Sequence, residues 1–147
     1  MSDSIHKTIF LRAPIERVWR AITDHREFGA WFRVALDSPF IVGEVTTGKM
    51  TYPGHEGAPW SSTTTRMERP NHFAFTWPYA DGGEVNLPEA PTMLVEFHLE
   101  PAGEGTQLTI TESGFDALPP DRRASMMRGN ETGWDIQSKH IAAHVEG

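Results

Sequence analysis

Between Ile41 and Ser113 the pattern has a period of two, broken by dense turn formers, and from Pro119 to Val145 apolar side chains recur at steps of three and four. A change of period means a change of element, so strands give way here to one long helix. Its stripe runs through Met127, Asn130 or Glu131, Trp134, Ser138, Ile141 and Val145. A helix with one apolar stripe must lie across something, and the only surface large enough is the sheet that precedes it. Gly129 and Gly133 are expected to kink this helix.

The sheet is read from five segments, Ile41 to Lys49, Ser61 to Arg69, His72 to Trp77, Thr92 to Glu100 and Thr106 to Ser113. Turn formers such as Arg69-Pro70-Asn71 and Ala102-Gly103-Glu104-Gly105 separate them, which predicts an antiparallel meander. Two connections, Tyr52 to Trp60 and Pro78 to Pro91, exceed what a hairpin needs; such loops border a site or are surface excursions. Ahead of the sheet, Ile5 to Arg12 alternates and reads as a first strand. Pro14 then opens a helix with Ile15, Val18, Trp19 and Ile22 at helical spacing through Thr23. Asp24-His25-Arg26-Glu27 resembles a capping box, and Phe28, Trp31 and Phe32 behind it predict a second short helix whose length Gly29 limits.

Composition removes whole classes of function. Twenty acidic against thirteen basic side chains give a formal net charge of −7, the wrong sign for holding a phosphate backbone or an anionic membrane. Zero Cys excludes a disulfide scaffold, a thiolate nucleophile, an iron–sulfur cluster and a Cys-based zinc site. No stretch approaches the roughly 18 apolar residues of a membrane span. The opening Met1-Ser2-Asp3-Ser4-Ile5-His6-Lys7 lacks the apolar core of a signal peptide, so the expected compartment is the cytoplasm. A length of 147 residues suits one domain over 1–147. No Ser joins a Gly-x-Ser-x-Gly elbow, and Gly54-His55-Glu56-Gly57 lacks the Lys and the strand-to-helix setting of a phosphate loop.

Several stretches in order carry a family resemblance: Ala13-Pro14-Ile15-Glu16-Arg17-Val18-Trp19, Thr23-Asp24 through Trp31-Phe32, Glu68-Arg69-Pro70 leading to Phe73-Ala74-Phe75-Thr76-Trp77, Gly105-Thr106-Gln107-Leu108-Thr109-Ile110, Glu112-Ser113-Gly114-Phe115, and Gly133-Trp134. Together they resemble the START-like, or SRPBCC, superfamily, and within it the group related to the activator of the 90-kDa heat-shock protein ATPase. The resemblance implies an α+β helix-grip (Bet v-like) fold, in which a curved antiparallel sheet wraps a long C-terminal helix and leaves a cavity between them. It does not choose an activity, since members of the superfamily bind lipids, sterols, hormones or polyketides, catalyse cyclisation or hydrolysis, or act on a chaperone. One departure is informative. Where the family's terminal helix usually carries Leu four residues after the Gly-Trp tryptophan, this chain has Ser138.

Strand alternation places Phe73, Phe75 and Trp77 on one face, with Met93, Val95, Phe97 and Leu99, and then Leu108, Ile110 and Glu112. A carboxylate on a core face costs several kcal/mol unless it is solvated, hydrogen-bonded or paired. Glu112 therefore lies at the cavity mouth and caps a loop amide near Gly114, or it faces a ligand as polar anchor or general acid/base. Trp31, Phe75, Trp77, Met93, Phe97, Met127 and Trp134 are expected to converge between sheet and helix, as core or as cavity wall, with Glu112 and Ser138 orienting a polar group. His140 and His144 stand four apart on the last helix but lack a third ligand in reach, and His6, His25, His55, His72 and His98 show no ligand spacing, so no metal is expected.

The function these readings favour is binding of a small apolar or amphipathic molecule in that cavity, with no cofactor and no covalent chemistry. Two alternatives come from other classes. One is a module that binds a chaperone or other protein through an exposed apolar patch; the other is a cavity hydrolase or cyclase using Glu112. No nucleic acid or membrane partner is expected, and the chain reads as a monomer or homodimer.

Overall fold

The computed structural model describes residues 4–78, 92–118 and 120–146. Strand β1 (Ile5–Leu11) leads into helices α1 (Ile15–Thr23) and α2 (His25–Phe32). Six further strands follow: β2 (Val34–Leu36), β3 (Val45–Met50), β4 (Pro59–Glu68), β5 (His72–Pro78), β6 (Thr92–Ala102) and β7 (Gly105–Ser113). A 3₁₀ turn (Phe115–Ala117) then passes the chain to α3 (Pro120–Glu146). The strands form one antiparallel sheet in the order β1-β7-β6-β5-β4-β3-β2. The chain thus meanders from β2 to β7, and β1 closes the far side. This is the helix-grip arrangement, a curved sheet with a long C-terminal helix and two short helices near its start.

Most strand ends shift from the sequence reading by one or two residues, and two features depart further, the unread β2 and the start of β3. β2 is only three residues long, too short to show a period of two. β3 begins at Val45 rather than Ile41, because Glu44 N–H donates to the Ile41 carbonyl and Gly43, at φ +88°, turns the chain. The apolar pair Ile41 and Val42 is therefore exposed at this turn.

The register explains the inner face. Phe73 pairs with Phe97 and Phe97 with Ile110, while Phe75 pairs with Val95, Val95 with Glu112 and Glu112 with Ile5. Glu112 thus occupies an inward position between apolar neighbours. Helices α1 and α2 are joined at Asp24, whose carboxylate accepts the backbone N–H groups of Arg26 and Glu27, satisfying two open donors of α2. Glu27 does not complete the box; it binds Arg17 and Arg20 of α1 and His144 of α3 instead. Gly29 has a different role from the one its sequence position suggests. A Cβ there would lie 2.3 Å from the Val34 carbonyl oxygen, so glycine permits the close approach of α2 and β2, and α2 ends at Arg33 in the left-handed region at φ 73°.

Helix α3 is one 27-residue helix that continues through Gly129 and Gly133. It buries Trp134, Gln137, Ser138, Ile141 and Val145. Among the described residues, no helix is long and apolar enough to cross a membrane.

Candidate functional site

The aromatic stripe of β5 meets the stripe of α3 at two tryptophans. Trp77 and Trp134 stack with ring centroids 5.8 Å apart and planes inclined by 23°. Phe32, at the end of α2, packs edge-on to both. Beside these rings opens a cleft of about 550 Å³, within the roughly 300–1,000 Å³ that small-molecule sites occupy. One wall comes from Phe32, Met50 at the end of β3, Tyr52, His55 and Ala58 of the β3–β4 connection, and Trp77. The other wall is α3, through Gly129, Asn130, Thr132, Gly133, Trp134, Ile136 and Gln137.

Glu112 lies behind this wall and is fully buried. Trp77 Nε1–H donates to its Oε2 at 2.8 Å and Trp134 Nε1–H to its Oε1 at 3.0 Å. Asn130 Nδ2 reaches both oxygens, at 3.1 and 3.0 Å. Three side chains of the cleft wall are thus held by one carboxylate, from strand β5 and from two turns of α3. Burial raises the Glu112 pKa above the usual glutamate value, while the donors, Trp134 first, then Trp77 and Asn130, pull it back. Every partner is an N–H donor, which suits the ionised carboxylate. Each such bond to a charged group contributes about 1.5–3 kcal/mol, enough together to offset much of the desolvation.

The residues singled out from the sequence separate into three environments. Trp77 and Trp134 line the cleft, and Glu112 ties them together. Phe75, Met93 and Phe97 are buried in the core beneath the cleft, and Met127 packs partly buried against that core. Trp31 is buried in the same core behind the cleft, edge-on to Phe32, and donates its indole N–H to the Ala21 carbonyl, joining α2 to α1. Ser138 is turned back on its own helix, where its hydroxyl donates to the Trp134 carbonyl at 2.7 Å. The hydroxyl's donor is therefore satisfied within α3 itself, as that of Ser commonly is by the carbonyl four residues earlier in a helix.

Sequence reasoning did not single out Phe32, Met50, Tyr52, His55 or Gln137 as cleft residues. The long Tyr52 to Trp60 connection was the available signal, and it supplies Tyr52, His55 and Ala58 to the wall. The second long connection, Pro78 to Pro91, lies outside the described residues apart from Pro78. Gln137 donates to the Phe32 carbonyl at 2.9 Å and fixes α3 to the end of α2. His140 and His144 diverge, the first toward Gln137 and the second toward Glu27.

A family model described as Activator of Hsp90 ATPase homolog 1-like protein matches residues 12–146. Among solved structures, protein MLL2253 from Mesorhizobium loti is similar at a TM-score of 0.78 and 21% identity, covering 97% of this chain and 96% of that one. The Aha1 dimer from Colwellia psychrerythraea is similar at 0.73 and 17%, covering 99% and 97%. DynU16, a protein of the dynemicin biosynthetic locus, is similar at 0.75 and 23%, covering 99% of this chain but 48% of its own length, so this chain spans about half of that protein. At these identities the likeness shows the fold. No curated protein matches the chain.

Proposed function

The chain belongs to the family of Activator of Hsp90 ATPase homolog 1-like proteins, and on that premise we propose that it binds a small amphipathic molecule in the cleft between α3 and the sheet. The observation that carries this reading is the buried Glu112, which spends its hydrogen-bonding capacity on Trp77, Trp134 and Asn130 of the cleft wall. A buried carboxylate is an expensive way to hold two indoles, and a plain apolar contact would serve a core. Fixed indoles and an amide beside an open apolar cleft serve recognition: the indoles wall one side of a flat apolar body, and Asn130 and Tyr52 meet its polar edge. Glu112 acts as a positioning residue in this account.

Native mass spectrometry of the protein as purified tests the proposal. A stoichiometric small molecule lost on denaturation, and lost in a Gly133→Leu variant whose new side chain fills the cleft, is the expected result. A protein that stays ligand-free there and gains no thermal stability from a broad amphipathic library contradicts it. A second reading, protein docking, is favoured by the exposed Ile41 and Val42 on the β2–β3 turn and Val45 at the start of β3, 47–56% accessible. Mutating those three to Ser separates the readings, because it leaves the cleft intact.

A further inference from the structure

On the face of the sheet opposite the cleft, antiparallel pairing sets Glu68 against His72 and His72 against His98, across β4, β5 and β6. Glu96 stands two residues before His98 on the same face. His72 Nε2 lies 2.9 Å from Glu96 Oε2, and His98 Nε2 lies 3.6 Å from the same oxygen. The two imidazoles face each other with ring centroids 4.1 Å apart, and one ligand atom from each of the three residues falls within 4.8 Å of the others. We propose that His72, Glu96 and His98 form a surface site for a divalent transition-metal ion of the Zn²⁺ type. This site is separate from the cleft and independent of the function proposed for it.

The geometry and the donor chemistry agree. Zinc takes His nitrogen at about 2.0–2.1 Å and carboxylate oxygen at about 2.0–2.2 Å, which at tetrahedral angles puts ligand atoms roughly 3.3 Å apart. The two Nε2 to Oε2 separations, 2.9 and 3.6 Å, bracket that value. Two imidazoles and one carboxylate are the ligand types Zn²⁺ takes, and three protein ligands leave the fourth position to water or a small anion. His72 is well packed, with 11% of its side chain accessible, whereas His98 is at 46% and has room to turn toward an ion. An outer partner is also present, since Glu68 Oε1 lies 3.9 Å from His72 Nδ1, placed to accept that N–H once Nε2 binds metal.

One neighbour opposes binding. The Arg66 guanidinium lies 3.3 Å from His72 Nδ1 and, having only N–H groups, donates to it. That keeps the proton on Nε2, the atom the ion needs. Arg66 is half exposed and also lies 3.8 Å from Glu68, so it can shift onto that carboxylate alone. Removing Arg66 should therefore tighten metal binding, both by freeing His72 Nε2 of its proton and by removing a positive charge beside the ion.

Isothermal titration of tag-free protein with Zn²⁺, with Co²⁺ absorption as a second readout, tests the proposal. The expected result is one-to-one binding, weakened by at least about tenfold in both His98→Ala and Glu96→Gln and tightened in Arg66→Ala. His98→Ala removes a half-exposed side chain, and thermal unfolding of each variant verifies the fold. A flat titration, binding unchanged by His98→Ala, or binding abolished only by His140→Ala with His144→Ala overturns the proposal.

Discussion

Glu112 shows how one side chain sets the chemistry of a wall it does not itself line. Its two oxygens accept four N–H contacts, so Glu112→Gln turns an amide N–H₂ toward donors and should destabilise the protein by about 1–3 kcal/mol, read from chemical denaturation at neutral pH. The sign with pH follows from the raised pKa. A carboxyl whose folded value lies above its unfolded value contributes stability that is fully present below the unfolded value and is lost as pH rises through the folded one. The difference between parent and Glu112→Gln should therefore change above pH 4.5, and a parallel pair of pH profiles contradicts the assignment. Glu27 behaves oppositely. Burial raises its pKa, but hydrogen bonds from His144, Arg17 and Arg20 outweigh this and lower it to about 2. Its contribution is present above the ordinary 4.5 and is lost as pH falls toward 2, so Glu27→Gln should lower the unfolding temperature at neutral pH and converge on the parent in strong acid.

At the scale of elements, α3 carries most of the account. Trp134 is 3% exposed, stacked on Trp77 and edge-on to Phe97, so Trp134→Ala should cost about 3–5 kcal/mol by denaturant unfolding, and a loss below about 1 kcal/mol would show that the helix is not anchored there. Gly133 is the complementary case. A Cβ there meets nothing within 4 Å, and glycine inside a helix is less favourable than alanine by about 0.5–1 kcal/mol, so Gly133→Ala should stabilise by that amount while narrowing the cleft. The long helix, its stripe and six of the seven strands were legible because their periods extend over several residues. β2 was not, since three residues carry no period, and neither was Gly29, whose requirement arises from a carbonyl of the following strand. The helix-capping pattern at Asp24 was legible, but Glu27's true partners were not, because Arg17 and His144 reach it from other helices.

Across the whole molecule, the sequence pattern shows which face a residue occupies more readily than what it meets there. Alternation placed Glu112 inward, and the register then surrounded it with Val95 and Ile5; its donors, 35, 22 and 18 residues away, are set by how α3 crosses the sheet. The same holds on the outer face, where His72 and His98 show no ligand spacing along the chain and become neighbours only through strand pairing. The function proposed above puts a small molecule between α3 and the sheet, against Trp77 and Trp134. The five tryptophans are its built-in reporters, because each carries one indole N–H in a different place: Trp19 and Trp31 in the helical pair, Trp60 on β4, Trp77 and Trp134 at the cleft. A ¹H–¹⁵N titration with a stabilising amphipathic compound should move the Trp77 and Trp134 indole signals first and leave those of Trp19 and Trp31 in place. Movement confined to Trp19 and Trp31, or a stabilising compound that leaves all five signals unmoved, would contradict it.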